Sequence, residues 1–123
     1  MGGERVEKIG GGVWILYERE FIKGLVDELG GDFREAVNQY LLDAEKCRQK
    51  GRSLYASISY ASAARCMKIL GDYDAAARYY LMAANELEAL LGQRDENNRF
   101  IREKVSRYVY EALKLLTELS ERD

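Results

Sequence analysis

The 123-residue chain contains no histidine, so the commonest general base and metal ligand is missing before any fold is considered. What remains for chemistry is carboxylates, lysines, arginines and two thiols, Cys47 and Cys66. A metal centre would need carboxylates and thiols that no short spacing brings together, and no G-x-S-x-G elbow presents a nucleophile. Gly10-Gly11-Gly12 lacks the lysine and the preceding strand that turn a glycine run into a phosphate cradle. The expectation is a non-enzymatic protein with no catalytic residue, no metal ligand and no cofactor. Arg65 and Lys68 are more informative, because cations one helical turn apart can hold a carboxylate through charge-assisted hydrogen bonds. The same two residues read equally well as a solvated basic turn.

Positioning these residues falls to helices. Gly31-Asp32-Phe33-x-x-Ala36-x-x-x-Tyr40 recurs as Gly71-Asp72-Tyr73-x-x-Ala76-x-x-x-Tyr80, a spacing of 40 residues, and a period of that length marks stacked helical hairpins. From Val13 to Leu29, the stripe Trp14, Tyr17, Phe21, Leu25 and its neighbour Ile15, Ile22, Val26, Leu29 predict a first helix that is apolar on more than one face. Asp32 is the expected N-cap of a second helix, with Glu35 completing a capping box. Its inward face is Phe33, Ala36, Val37, Tyr40, Ala44 and Cys47. Ser53 is expected to cap the third helix, and Ala56, Tyr60, Ala63, Ala64, Met67 and Leu70 form its inward face. The fourth runs from an Asp72 cap through Ala76, Tyr80, Ala83, Ala84, Leu87 and Leu91 to Gly92. Asp95 and Asn98 are candidate caps for the last, whose seam is Ile101, Val105, Tyr108, Ala112, Leu115 and Leu119. With no proline in the chain, the predicted fold class is all-α. About five antiparallel helices form two long hairpins and a C-terminal capping helix. Residues 1–12, rich in glycine, are expected to be flexible, and 13–123 to form a single domain.

Composition excludes several function classes. A net charge of -2 leaves no basic excess for nucleic acid. The apolar cluster Val13-Trp14-Ile15-Leu16-Tyr17 is far shorter than the roughly 20 residues of a membrane span. The charges of Glu18, Arg19 and Glu20 then stand where a signal peptide would need small residues, so a cytoplasmic location is expected. Those three charges read as a solvated face. If a turn falls near Gly51, Cys47 and Cys66 lie at levels roughly 15 Å apart along their helices, too far to pair. Both are read as small buried hydrophobes.

Tyr60, Ala63, Ala64 and Met67, followed by Gly71, Tyr73, Ala76, Tyr80 and Ala83, resemble the tetratricopeptide repeat, whose motif is W-x2-L-G-x2-Y, then A-x3-F, then proline. In the earlier copy Gly24, Phe33, Ala36 and Tyr40 match, whereas Glu20, Lys23 and Asp27 stand at apolar positions of the motif. Arg48 and Glu88 replace the two prolines, and each unit is about six residues longer than the standard 34. The resemblance covers roughly residues 14 to 91. It implies two TPR-like hairpins whose first helices line a concave groove for a peptide or partner helix. The positions that fall there are Phe21, Leu25 and Glu28 on the first helix and Ile58, Ser62, Arg65, Lys68 and Ile69 on the third. The asparagine and lysine set of the family's dicarboxylate clamp is absent, which argues against capture of an acidic C-terminal tail.

A second reading is a homo-oligomeric structural bundle with no peptide groove. Trp14 and Ile15 at one end of the stack, and Tyr110, Leu113 and Leu116 at the other, are apolar surface beyond what one neighbour can cover, and a symmetric homodimer would bury it. Tyr79 and Tyr110 also fall off the inward stripes, where a partner could reach them.

Overall fold

The structure, a computed structural model, describes residues 18–91 and 95–122, the side chains of 95–97 excepted. Five helices account for nearly all of it: α1 Arg19–Leu29, α2 Phe33–Gln49, α3 Ser53–Ile69, α4 Tyr73–Glu88 and α5 Asp95–Arg122. The described residues contain no strand, and the fold is all-α. The stretch from Val13 to Tyr17, with Trp14 and Ile15, lies outside the described residues, as does Gly92.

The first three links are each three residues long and close in the same way. Gly31, Gly51 and Gly71 sit at φ of 87°, 75° and 87°, a left-handed conformation that costs glycine nothing. Their N–H groups reach back to the carbonyls of Glu28, Arg48 and Lys68 at 3.0, 3.1 and 3.0 Å. The next N–H groups, of Asp32, Arg52 and Asp72, bond to Asp27, Cys47 and Met67 at 2.9, 2.8 and 3.0 Å. This is the Schellman closure, repeated at 20-residue intervals. The residue that completes each closure is also the N-cap of the next helix, so the chain has no slack in which to turn differently.

Asp32 and Asp72 accept from the N–H groups of Glu35 and Ala75 at 3.2 and 3.1 Å, as the sequence led one to expect. The reciprocal half of the capping box does not form, because the Glu35 carboxylate is drawn forward to Asn38 and Gln39 on its own helix. Ser53 is the first helical residue rather than the cap; Arg52 holds that position with no side-chain bond. α4 stops at Glu88, where Leu90 and Leu91 tighten into i→i−3 bonds.

Each helix packs mainly on its chain neighbours, and side-chain contacts sort the five into two layers. α1 meets α3 through Glu28 and Arg65, while α3 and α5 flank a cavity floored by Tyr80 of α4. On the opposite side α2 and α4 flank a shallower hollow over Tyr60 of α3. Thus α1, α3 and α5 form one layer and α2 and α4 the other. α3 is the central helix, and Ala56, Ser57, Ser59, Tyr60, Ala61, Ser62, Ala63, Ala64 and Cys66 are all buried on it. Small side chains are what a helix needs when neighbours approach from several sides. The core is accordingly built of alanines wedged by tyrosines and a few leucines, with Tyr40, Leu87 and Leu115 its largest fully buried side chains.

Gly24 shows how tight this packing is. A Cβ at that position would lie 2.8 Å from Cδ1 and Cε1 of Tyr40, a ring with no exposure that also packs against Phe21 in a tilted pair with centroids 5.5 Å apart. Gly24→Ala would gain about 1 kcal/mol of helix propensity but overpacks the α1–α2 interface by about 1–3 kcal/mol. Thermal unfolding followed by circular dichroism is expected to show a net loss, with the midpoint lowered by on the order of 5 °C. An unchanged or higher midpoint would contradict the packing described.

Candidate functional site

Electrostatics fastens α1 to the stack. Glu18, almost fully buried, accepts from Lys50 Nζ at 3.1 Å and from Arg52 at 3.2 Å, and Glu20 accepts from Lys46 Nζ at 2.8 Å. The charged run at 18–20 is therefore no solvated face: Glu18 ties the start of α1 to the α2–α3 turn and Glu20 ties it to the last turn of α2. At the other end of α1, Glu28 receives Arg65 in a bidentate pair, Nε to Oε2 at 2.8 Å and Nη2 to Oε1 at 2.7 Å. The Tyr40 hydroxyl donates to the same Oε1 at 2.7 Å. Hydrogen bonding from Arg65 is the main reason the Glu28 carboxyl is held below its ordinary range, while burial and the adjacent carboxylate push the Tyr40 hydroxyl up.

Between α3 and α5 lies an open cavity of about 630 Å³. Its wall on α3 is Ala61, Arg65 and Lys68; Tyr80 comes from α4, and α5 supplies Phe100, Glu103, Lys104, Arg107, Tyr108 and Glu111. Tyr80 and Tyr108 stack with centroids 6.0 Å apart and planes 28° from parallel. Burial raises both hydroxyls above the usual tyrosine range, so the floor stays neutral. Lys104 stands 5.8 Å over the Tyr108 ring, and Glu103 is engaged by Arg99 at 3.3 Å. Because Arg65 is committed to Glu28, the cations left facing the opening are Lys68, Lys104 and Arg107. These three cations stand against one further lining carboxylate, Glu111, and an aromatic floor under a rim of net positive charge suits an acidic segment that brings its own apolar anchor.

The residues that the sequence assigns to a groove divide in two. Arg65 and Lys68 line the cavity. Ser62 is buried, Phe21 packs on the Tyr40 cluster, Leu25 and Ile58 are half-buried, and Ile69 is exposed away from the lining. Glu28 neutralises Arg65 instead of facing a ligand. Most of the lining comes from α5, whose Phe100, Lys104, Arg107 and Glu111 follow one another at helical spacing beside the inward seam. That flank is legible in the sequence once α5 is treated as a groove wall rather than as a cap. Tyr79 packs against the core clusters, whereas Tyr110, Leu113 and Leu116 are exposed on α5.

A second polar feature lies inside the stack. Asp43 is buried and accepts from Ser59 Oγ and from Cys47 Sγ through one oxygen, leaving Oδ1 without a partner. Burial is the chief cause of its raised pKa. Its position at i+3 from Tyr40 and i−4 from Cys47 puts a carboxylate on an apolar stripe, which is the only sequence signal it gives. Cys47 and Cys66 are free and buried, and burial pushes their thiols up to about 12 and about 11. Thiols so rarely ionised are poor nucleophiles. The described residues hold no cluster of three or more metal-ligating side chains and no helix long and apolar enough to cross a membrane.

Set against family models, curated protein sequences and solved structures, the chain gives no match in any of the three comparisons.

The Glu28–Arg65 pair makes a pH-dependent contribution of known sign. A carboxylate whose folded pKa is depressed adds stability above its unfolded pKa and loses it as pH falls through the folded value. Arg65 is half-exposed, so screening limits the pair to about 1 kcal/mol. Denaturant titration of Glu28→Gln is expected to show a deficit of about that size at pH 7, closing as the pH is lowered below the ordinary carboxylate range. A deficit that stays constant with pH would place the effect elsewhere.

Proposed function

We propose that the chain is a TPR-like, non-enzymatic interaction module that takes an acidic peptide or partner helix into the groove between α3 and α5. The observation that carries this reading is the cavity itself. Stacked Tyr80 and Tyr108 form its floor, and three cations without an ion-pair partner among the described residues stand at its rim. The layer in which it opens is made by the first arms of the hairpins, as in the repeat family the sequence resembles. An apolar side chain of the bound segment would seat on the tyrosine rings, and its carboxylates would meet Lys68, Lys104 and Arg107. Affinity then comes from the aromatic contact and register from charge. The buried, unpaired thiols accord with a reducing compartment, and we place the protein in the cytoplasm.

Because Arg65 also ties α1 to α3, charge reversal there would confound folding with binding. The informative variant is Lys68→Glu with Arg107→Glu, which leaves every ion pair described above in place. An array of acidic helical peptides, with leucine or phenylalanine at i and i+4, is expected to bind the wild-type chain. Binding should weaken steeply with salt and fall at least about tenfold, roughly 1.4 kcal/mol, in the double variant. Binding that is indifferent to both salt and the substitutions would remove the groove as the site.

A further inference from the structure

Arg65 belongs both to the α1–α3 contact and to the wall of the groove. Its guanidinium gives one edge to Glu28, through Nε at 2.8 Å and Nη2 at 2.7 Å. Nη1, on the other edge, has no partner among the described residues, and the side chain is 47% exposed. Its charge reaches the groove floor: burial raises the hydroxyls of Tyr80 and Tyr108, and Arg65 acts on both in the opposite sense. One cation therefore serves two places.

The α1 side of this contact is the weaker one. Glu28 stands in the last turn of α1 beside Asp27, and that turn holds no basic residue, although the helix dipole disfavours negative charge there. α1 is also the shortest of the five helices, 11 residues, with Gly24 its only buried residue. Beyond Gly24 no residue of α1 is buried, and Val26 and Leu29 are exposed. A helix end with so little apolar burial opens readily.

We infer that Glu28 is a built-in competitor for the groove, holding the Arg65 guanidinium as a carboxylate of a bound acidic segment would, so that groove binding and the seating of α1 oppose each other. This rests on the groove reading above. With Glu28 seated, a ligand meets Lys68, Lys104 and Arg107 against Glu111. With Glu28 withdrawn, Arg65 joins them as a fourth cation, whose planar fork fits a carboxylate through two parallel bonds. Even at Nη1 a ligand's carboxylate meets a charge that Glu28 already neutralises, so full affinity needs Glu28 withdrawn. The Tyr40 hydroxyl donates to the same Glu28 carboxylate at 2.7 Å, and a ligand must work against that contact too. Linkage makes the effect reciprocal: weakening the Glu28 contact strengthens acidic ligands, and a bound ligand loosens the end of α1.

The probe is a synthetic acidic peptide with leucine at i and i+4 and glutamates between, titrated into the full chain by isothermal calorimetry. Glu28→Gln is expected to bind it about three- to fivefold more tightly than wild type, the effect of one half-exposed ion pair. Adding Arg65→Gln to Glu28→Gln should bring the affinity back to within about twofold of wild type. Glu35→Gln removes a carboxylate outside the groove lining and should leave affinity unchanged. In the wild type, saturating peptide should speed amide exchange at residues 25–29; in Glu28→Gln those amides should already be fast and should not respond. Equal affinity of wild type and Glu28→Gln, with binding still lost in Lys68→Glu with Arg107→Glu, would overturn this inference and leave the groove reading standing. It would equally be overturned if Glu35→Gln tightened binding as much as Glu28→Gln, or if saturating peptide left α1 exchange in the wild type unmoved. No binding to either wild type or Glu28→Gln would overturn both readings.

Discussion

Three residues between helices are too few to do anything but reverse the chain, and the architecture depends on that constraint. At Gly31, Gly51 and Gly71 the backbone turns through a left-handed glycine, and the following residue closes one helix while opening the next. With helix lengths of 17, 17 and 16 residues from α2 to α4, equal links stack equal arms, and alternate helices fall into the same layer. The two layers, the central position of α3 and the gap between α3 and α5 all follow from this regularity. The longer link before α5 is where the regularity ends.

Packing then imposes its own terms. A helix enclosed by neighbours cannot carry large side chains all round, and α3 meets this by burying alanines, serines and a cysteine. Rings from adjacent helices fill the space that the small residues leave: Tyr40 over Gly24, and Tyr80 against Tyr108. The exchange of bulk for proximity explains why the clusters of buried residues contain so few branched aliphatics. It also leaves the groove floor aromatic, which is what gives that surface its binding character.

Helix existence, turn positions and the inward faces of α2, α4 and α5 were legible in the sequence because each depends on local signals. The glycine–aspartate pairs and the three-to-four spacing of apolar residues lie within a few positions of one another. What was not legible depends on partners far apart in the chain. Arg65 read as a free cation because its carboxylate, Glu28, lies 37 residues earlier. Glu18 read as solvated because Lys50 and Arg52, which bury and bind it, are 32 and 34 residues away. Ser62 falls on groove surface only for a helix with one inward face, whereas the neighbours of α3 cover nearly all of it. Ser53 and Arg52 exchanged roles at the cap because the turn is set by Gly51, not by the side chain that follows.

An open two-layer stack differs from a closed five-helix bundle in whether the first and last helices touch. Nuclear Overhauser spectroscopy on the full chain, with the aromatic rings and aliphatic methyl groups assigned, distinguishes the two directly. The account predicts cross-peaks between Phe21 and Tyr40 and between Tyr80 and Tyr108, whose centroids lie 5.5 and 6.0 Å apart, and none from Ile22 or Val26 of α1 to α5. Strong contacts from α1 to Val105, Tyr108 or Leu115 would mean that the helices close into a barrel, and the groove would not exist.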